Sequence, residues 1–460
     1  MTTRSVAAGD PPRLHRDRFT VTMYGYFIAW GWFLYSFNPS VPLLAKDLGI
    51  SNAAAGLHGT AMAVGAIVAA ALTPRLVLRL GRRASLVLAG LLLGAGLVVL
   101  LTGGVLAATL AGVVLLAIGG NMAISAAQAG LALHHGRAAS AAVTEGNASG
   151  SGIGLLGPLA VGACVAAGWG WRPAVAVTVG LAVVAVLATR RLPMEGALAR
   201  ALPGRDAARV AAAELLPGAE TELLPGAEVR AAADREAGGD SPTGRVPTGG
   251  GAADEGDDGG PAGTRSARSA AAARLASRWF LVTIVAAIAL ENATTYWATD
   301  LVIDRTGAGA GIAAATTAGL VAGMTAIRLV AGPLSLRVPP ARLLAAAFGV
   351  AVVGWAILWT ATAAWVALLG LFVAGLGYGV HYPLGIALLL GASGGATDRA
   401  QARATVAGGA AIGVAPFLLG ALADGVGAHT AFLVVPVVAV VGGLAAVAGA
   451  RALRGMVTTA

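Results

Sequence analysis

The sequence predicts an all-α integral membrane protein, with twelve transmembrane helices in two six-helix pseudo-symmetric halves. Three observations carry that expectation. The 460 residues are 57% hydrophobic and only 12% charged, about half the charge of a soluble domain. Uncharged runs long enough to cross a bilayer recur, as at 54–72, 86–101, 105–128 and 348–371; about 20 apolar residues in a helix span the hydrocarbon core. The two halves also match at a constant offset of 258, which pairs Gly49 with Gly307, Gly65 with Gly323, Leu76 with Leu334, Arg79 with Arg337, Pro158 with Pro416 and Gly162 with Gly420. Parallel repeats of this kind build transporter folds, with the binding site at the repeat interface.

A polar tail at 1–19 precedes the N-terminal bundle at 20–192. Its helices are expected at about 20–44, 54–74, 84–103, 105–131, 139–167 and 171–189. The first is aromatic (Tyr24, Tyr26, Trp30, Trp32, Phe33, Tyr35, Phe37), and Asn38–Pro39 marks a break in it. Arg75, Arg79, Arg82 and Arg83 crowd the connection between the second and third. The fourth carries Asn121, Ser125 and Gln128, and the fifth carries Glu145.

Residues 193–275 are rich in Gly, Pro, Ala and charge, and include the tandem "ELLPGAETELLPGAE". Such a segment buries too little apolar surface to offset its chain entropy and is expected to be a disordered cytoplasmic loop. The C-terminal bundle at 276–450 repeats the pattern, with helices at about 279–300, 310–332, 342–362, 364–391, 402–424 and 429–450, before a tail at 451–460. The loop holds thirteen acidic and nine basic residues. The bundles are therefore basic, and their arginines gather on alternate connections. By the positive-inside rule this places both termini in the cytoplasm and the protein in the cell membrane. The high isoelectric point follows from topology, so no nucleic-acid partner is expected. The single cysteine, Cys164, allows no internal disulfide.

The motifs then resemble one family. Leu76, Arg79, Gly81, Arg82 and Arg83 match the loop signature G-x-L-A-D-R-x-G-R-K of the major facilitator superfamily, with Leu78 in place of its Asp and Pro74 in place of its first Gly. "GPLSLR" (332–337) is a degenerate second copy. In "GLLGPLAVG", Gly157, Pro158 and Gly162 resemble the G-P-x-x-G-G motif of family antiporters. The resemblance spans nearly the whole chain and implies alternating access by rocking of the halves. It implies a gating role for Arg79, Gly81, Arg82, Arg83, Arg337, Gly157, Pro158 and Gly162, with Arg328 bracing the second loop. It also makes helices 1, 4, 7 and 10 the walls of a central cavity. On them stand Trp30, Asn38, Asn121, Gln128, Asn292, Tyr296, Tyr378 and Tyr382 as expected substrate contacts.

Only two of the nine acidic residues outside the loop, Glu145 and Glu291, fall well inside expected spans. A carboxylate at membrane depth is costly when charged and marks function; Glu291, Glu145 and His381 are the expected proton-coupling groups, with Arg137 a partner for Glu145. No phosphate-binding loop, metal-ligand cluster or nucleophile triad is present, so neither enzyme activity nor a cofactor is expected. No arginine is expected at midplane depth. The reading is a monomeric secondary transporter whose partners are a small-molecule substrate, protons and the lipid bilayer: a proton-coupled exporter (antiporter) of an amphipathic compound. The alternatives are a proton-coupled importer (symporter) of a polar metabolite and a lipid-precursor flippase.

Overall fold

The computed structural model of the chain describes residues 14–193, 196–198, 261–335, 338–393 and 397–457. Most of the expected loop, and Arg337, lie outside them. The described residues form twelve helical rods. The first half contains α1 (Arg18–Phe37, continued through a 3-10 turn at Asn38–Ser40 into Val41–Leu48), α2 (Asn52–Leu80), α3 (Arg82–Thr102), α4 (Leu106–His135), α5 (Ala139–Gly154 and Leu156–Ala166) and α6 (Arg172–Arg191). The second contains α7 (Pro261–Thr306), α8 (Ala310–Thr316 and Ala318–Ser335), α9 (Pro340–Thr360), α10 (Ala364–Gly391), α11 (Thr397–Val426) and α12 (Ala428–Ala431 and Val434–Val457). Eleven rods are long and apolar enough to cross a membrane. The other, α1, carries the aromatic cluster, whose tyrosines and tryptophans lower its hydropathy.

Several boundaries differ from expectation. The Asn38–Pro39 break is only a tightened turn, because proline costs little at the first position of a helical turn. Helix α2 runs through Pro74 to Leu80, which puts Arg75 and Arg79 on the helix. Helix α7 begins at Pro261, inside the stretch expected to be loop.

The duplication is visible atom by atom. Gly49 and Gly307 end α1 and α7 in the same left-handed conformation (φ +62° and +63°), which costs glycine no Cβ clash. Five helix pairings of the first half recur six helices later: α3–α4 as α9–α10, α2–α4 as α8–α10, α1–α5 as α7–α11, α1–α6 as α7–α12 and α3–α6 as α9–α12. The contacts repeat as well. A Cβ on Gly119 would lie 2.5 Å from the Ala89 carbonyl oxygen, and one on Gly377 would lie 2.5 Å from that of Ala347. Both pairs obey the 258 offset. Small residues that let backbones touch are the usual means of joining helices in lipid, where apolar burial gives no drive between them.

Helix α5 shows this most plainly. Gly146, Gly150, Gly154 and Gly157 form a stripe against α1, and a Cβ on Gly150 would lie 2.6 Å from the Phe27 carbonyl oxygen. Two residues along, Gly152 has nothing within 4 Å of its Cβ position. We expect Gly150→Leu to lower the thermal midpoint in detergent by several degrees, and Gly152→Leu to leave it within about one degree, since only the former must move a backbone. Equal midpoints would contradict the packing.

Candidate substrate and proton site

The two halves meet through α2–α11 and α5–α8, and they meet toward the end remote from both described chain termini. There Gly162 and Gly311 press on each other's carbonyls, their Cβ positions 2.5 and 2.6 Å from the opposing oxygens. Gly56 and Gly59 of α2 similarly approach the Pro416 and Ile412 oxygens of α11. The Asp424 carboxylate, at the end of α11, accepts hydrogen bonds from Asn52 N (2.8 Å) and Ala53 N (2.7 Å) at the start of α2. These are orphan helix N–H groups, which favour an anion. Tyr296 donates to Met62 Sδ across the same boundary (3.2 Å). Thr60 of α2 donates to the Gly413 carbonyl of α11 (2.5 Å), and the Asp424 bonds lie beyond it toward this end. Toward the termini end Ile67, Leu72 and Val406 are exposed.

Between the sealed end and the open one, five helices bring one charge-bearing cluster together. Glu291 of α7 lies 15 residues before the helix end at Thr306, roughly 22 Å along the axis. Tyr378 and Gly379 of α10 and Ser151 of α5 lie at a similar distance from the same end. Arg328 of α8 is half a turn to a turn deeper and donates Nε–H to the Gly379 carbonyl at 3.1 Å. The Tyr35 hydroxyl of α1 interacts with this guanidinium and with Ser151. Glu291 interacts electrostatically with Arg328, Tyr35 and Tyr378. The Tyr378 hydroxyl is held by Thr294 (3.0 Å). Glu291 is half-buried and Arg328 exposed within the assembly of helices, so both charges reach solvent-accessible space.

This corrects the expectation for Arg328. It does not brace the loop after α8; it is the midplane arginine that the sequence analysis does not anticipate. The misplacement has a simple origin. Arg328 was positioned by its nearness to the helix end at Ser335, whereas its side chain turns inward to α10 and α1. The useful signal was the pairing itself: a deep carboxylate in one helix asks for a deep cation in another. Tyr35 and Ser151 had no such signal.

The other expected residues divide. Trp30 lies directly over Gly120 of α4 and stacks on Phe33 at 5.5 Å. Asn121 and Asn292 are half-buried and donate back to Ala117 O and Ile288 O of their own helices. Gln128 is half-buried in the termini-side half of α4, and Tyr382 is exposed one turn beyond Tyr378. Asn38 is buried in the 3-10 turn, which packs on α7. Tyr296 is fully buried in the sealed contact. His381 is buried on the α9 side of α10, stacked on Phe348 at 3.9 Å and tilted against the Tyr378 ring at 5.7 Å. Glu145 is not deep. It sits at the termini end in a two-point ion pair with Arg16 (2.5 and 2.8 Å); the side chain of Arg137 lies outside the described residues. Gly157 packs on Ser36 of its own half, so of the α5 motif only Gly162 meets the other half.

Two arginines of the loop, Arg82 and Arg83, make bonds within the first half. Gly81 turns the chain at φ +84° between α2 and α3. Arg82 is buried and donates to Ala197 O (2.6 Å), and Arg83 donates to Arg190 O at the end of α6. Cations at a helix C-terminus satisfy its orphan carbonyls.

Two six-helix halves closed at one end around a shared charged site have the architecture of a secondary transporter. The family model of the Major Facilitator Superfamily matches residues 22–389. The chain belongs to that superfamily, and is a transporter rather than an enzyme. Solved structures share the fold. A D-xylose–proton symporter matches with 17% identity and TM-score 0.67, covering 94% of this chain and 96% of its own. The nucleoside transporter NupG matches with 12% identity and TM-score 0.64, covering 94% and 98%. A bacterial homologue of the human drug peptide transporters PepT1 and PepT2 matches with 14% identity and TM-score 0.67, covering 97% and 100%. No curated protein sequence gives a significant match.

Two outcomes follow from this geometry. Asp424→Ala removes an acceptor that exists only while the far end is shut. In a Cys164→Ser, Met62→Cys background we expect it to speed labelling of the new cysteine by a membrane-impermeant maleimide about tenfold; an unchanged rate would mean that the contact does not hold the seal. At the other end, Asp17 caps α1 through Thr20 N (2.9 Å) and bonds His134 (2.6 Å). Burial pushes its carboxyl up, but the bonds from Thr20 and His134 outweigh it and hold it below its ordinary value. A depressed carboxylate contributes stability that is full above the unfolded value near 4 and is lost as pH falls through the folded one. Asp17→Asn, which keeps the cap acceptor but loses the charge, should therefore lower the thermal midpoint slightly at neutral pH and leave it unchanged at strongly acid pH.

Proposed function

We propose that the chain is a proton-coupled secondary transporter of a small organic solute, with Glu291 as the group that carries the proton. One observation supports this most: Glu291 is the only carboxylate in the central cluster, reaches solvent-accessible space, and faces a single cation, Arg328. A carboxylate at that depth is inexpensive when neutral and costly when charged, so its protonation is coupled to what else occupies the site. The seal on the far side and the opening on the termini side fit an inward-open state of a protein in the cell membrane with both termini cytoplasmic and a monomer as the working unit.

The direction of coupling follows from charge. With Glu291 ionised, the site balances Arg328; with Glu291 neutral, it carries a net positive charge. A proton and an anion then bind together, which favours a symporter over the exporter that the α5 motif suggests. In proteoliposomes with a pH-sensitive dye, an imposed proton gradient should drive solute and protons in the same direction. Glu291→Gln should abolish that coupling, while Glu145→Gln keeps it, because Glu145 only anchors Arg16. Solute and protons moving in opposite directions would establish the antiporter instead, and unchanged pH dependence in Glu291→Gln would remove Glu291 from the mechanism.

A further inference from the structure

The charged cluster also carries information about the solute. Arg328 is anchored by the Gly379 carbonyl, and the Tyr35 hydroxyl interacts with it from α1. A guanidinium fixed in this way presents its remaining N–H groups as a rigid fork, matched to a carboxylate. Glu291 feels Arg328 electrostatically, yet no ion pair within 4.0 Å joins these two described residues. The two charges therefore stand apart, across a gap. Tyr35 of α1 and Tyr378 of α10 both interact with Glu291 there.

We infer that this gap is the subsite for the carboxylate of an organic anion, bound end-on by Arg328 when Glu291 is neutral, with the apolar body of the solute against the aromatic side chains of α1 and α10. A protonated Glu291 would donate its O–H to the incoming carboxylate, so that the proton fills a hydrogen bond that an ionised Glu291 would replace with repulsion. A cationic solute has the opposite problem, since it must approach Arg328 to reach Glu291. The charged and titratable groups facing Glu291 are Arg328 from α8, Tyr35 from α1 and Tyr378 from α10. Among the described residues, the rods packed on α7 otherwise bring Lys46 and Asp47 of α1, Arg342 of α9, Arg403 and Asp424 of α11, and His429, Arg451 and Arg454 of α12, all toward helix ends.

This inference rests on reading Glu291 as the proton carrier, and the test separates the two. The purified full-length protein is titrated with a series of aliphatic and aromatic monocarboxylates, each matched by its primary amide and by the corresponding amine, with intrinsic tryptophan fluorescence and thermal midpoint as readouts. At about pH 5.5 we expect carboxylates to bind and their amides and amines not to, with binding about tenfold weaker near pH 7.5. Arg328→Gln should abolish binding, Arg328→Lys should weaken it, and Tyr35→Phe, which keeps the ring but frees the guanidinium, should also weaken it. Tyr35→Phe provides the reading should Arg328→Gln fail to fold. In Glu291→Gln, binding should become independent of pH and as tight as in the wild type under acid conditions. Amides or amines binding as well as acids, Arg328→Gln binding normally, or no carboxylate binding at about 10 mM would each overturn the subsite. Arg328-dependent binding with an unchanged pH profile in Glu291→Gln would keep the subsite and move the proton elsewhere.

Discussion

Backbone pressed against backbone is the contact on which this molecule depends. Between helices in lipid there is no hydrophobic drive to exploit, because the lipid tails are as apolar as leucine. Attraction has to come from close approach, and the chain supplies it with glycine: Gly96 against Gly112, Gly119 against Ala89 and Gly162 against Gly311, each with a carbonyl where a Cβ would stand. The same device serves two purposes. Inside a half it makes permanent joints, such as the α5 stripe on α1. Between the halves it makes a flat, small-residue contact, sealed at one end, that can part without tearing interlocked side chains.

Against that apolar, close-packed frame the central cluster is an exception, and its cost explains its construction. An isolated charge at this depth is expensive by several kcal/mol. Arg328 is stabilised by a carbonyl, a hydroxyl and a distant carboxylate, each from a different helix, so the arrangement exists only when α1, α7, α8 and α10 are assembled. Two of the contributors, Tyr35 and Ser151, belong to the first half, and three, Glu291, Arg328 and Gly379, to the second. The site is thus split across the boundary that must move, which is the placement that couples occupancy to conformation.

Much of the fold was legible in the sequence. Twelve rods, two halves and the 258-residue repeat follow from uncharged length and from glycines at matched positions, because bilayer thickness and backbone approach leave few other solutions. The depth of Glu291 was legible for the same reason: one carboxylate in a long apolar run has few places to be. What the sequence concealed was direction. Linear position put Arg328 near a helix end, put His381 in the cavity and put Glu145 inside a span. In three dimensions a long arginine reaches back toward the middle, a histidine one residue off the cavity face stacks on Phe348, and the fifth helix starts low enough for Glu145 to meet Arg16. Rotation about a helix axis and the reach of a side chain are set by neighbours, and neighbours are what a single sequence leaves out.

Helix α7 has a consequence of another kind. Its 46 residues form one uninterrupted rod, roughly 69 Å long, against a hydrocarbon core of about 30 Å. Much of it must project beyond the bilayer, on the side of the chain termini and in line with the helix that carries Glu291. A protein this small, almost entirely enclosed by a detergent belt, gives particle images little to align on. A rigid helical partner spliced in phase onto the projecting end of α7 would turn with the second half as a body, and would serve both as an imaging landmark and as a pointer that reports the angle between the halves.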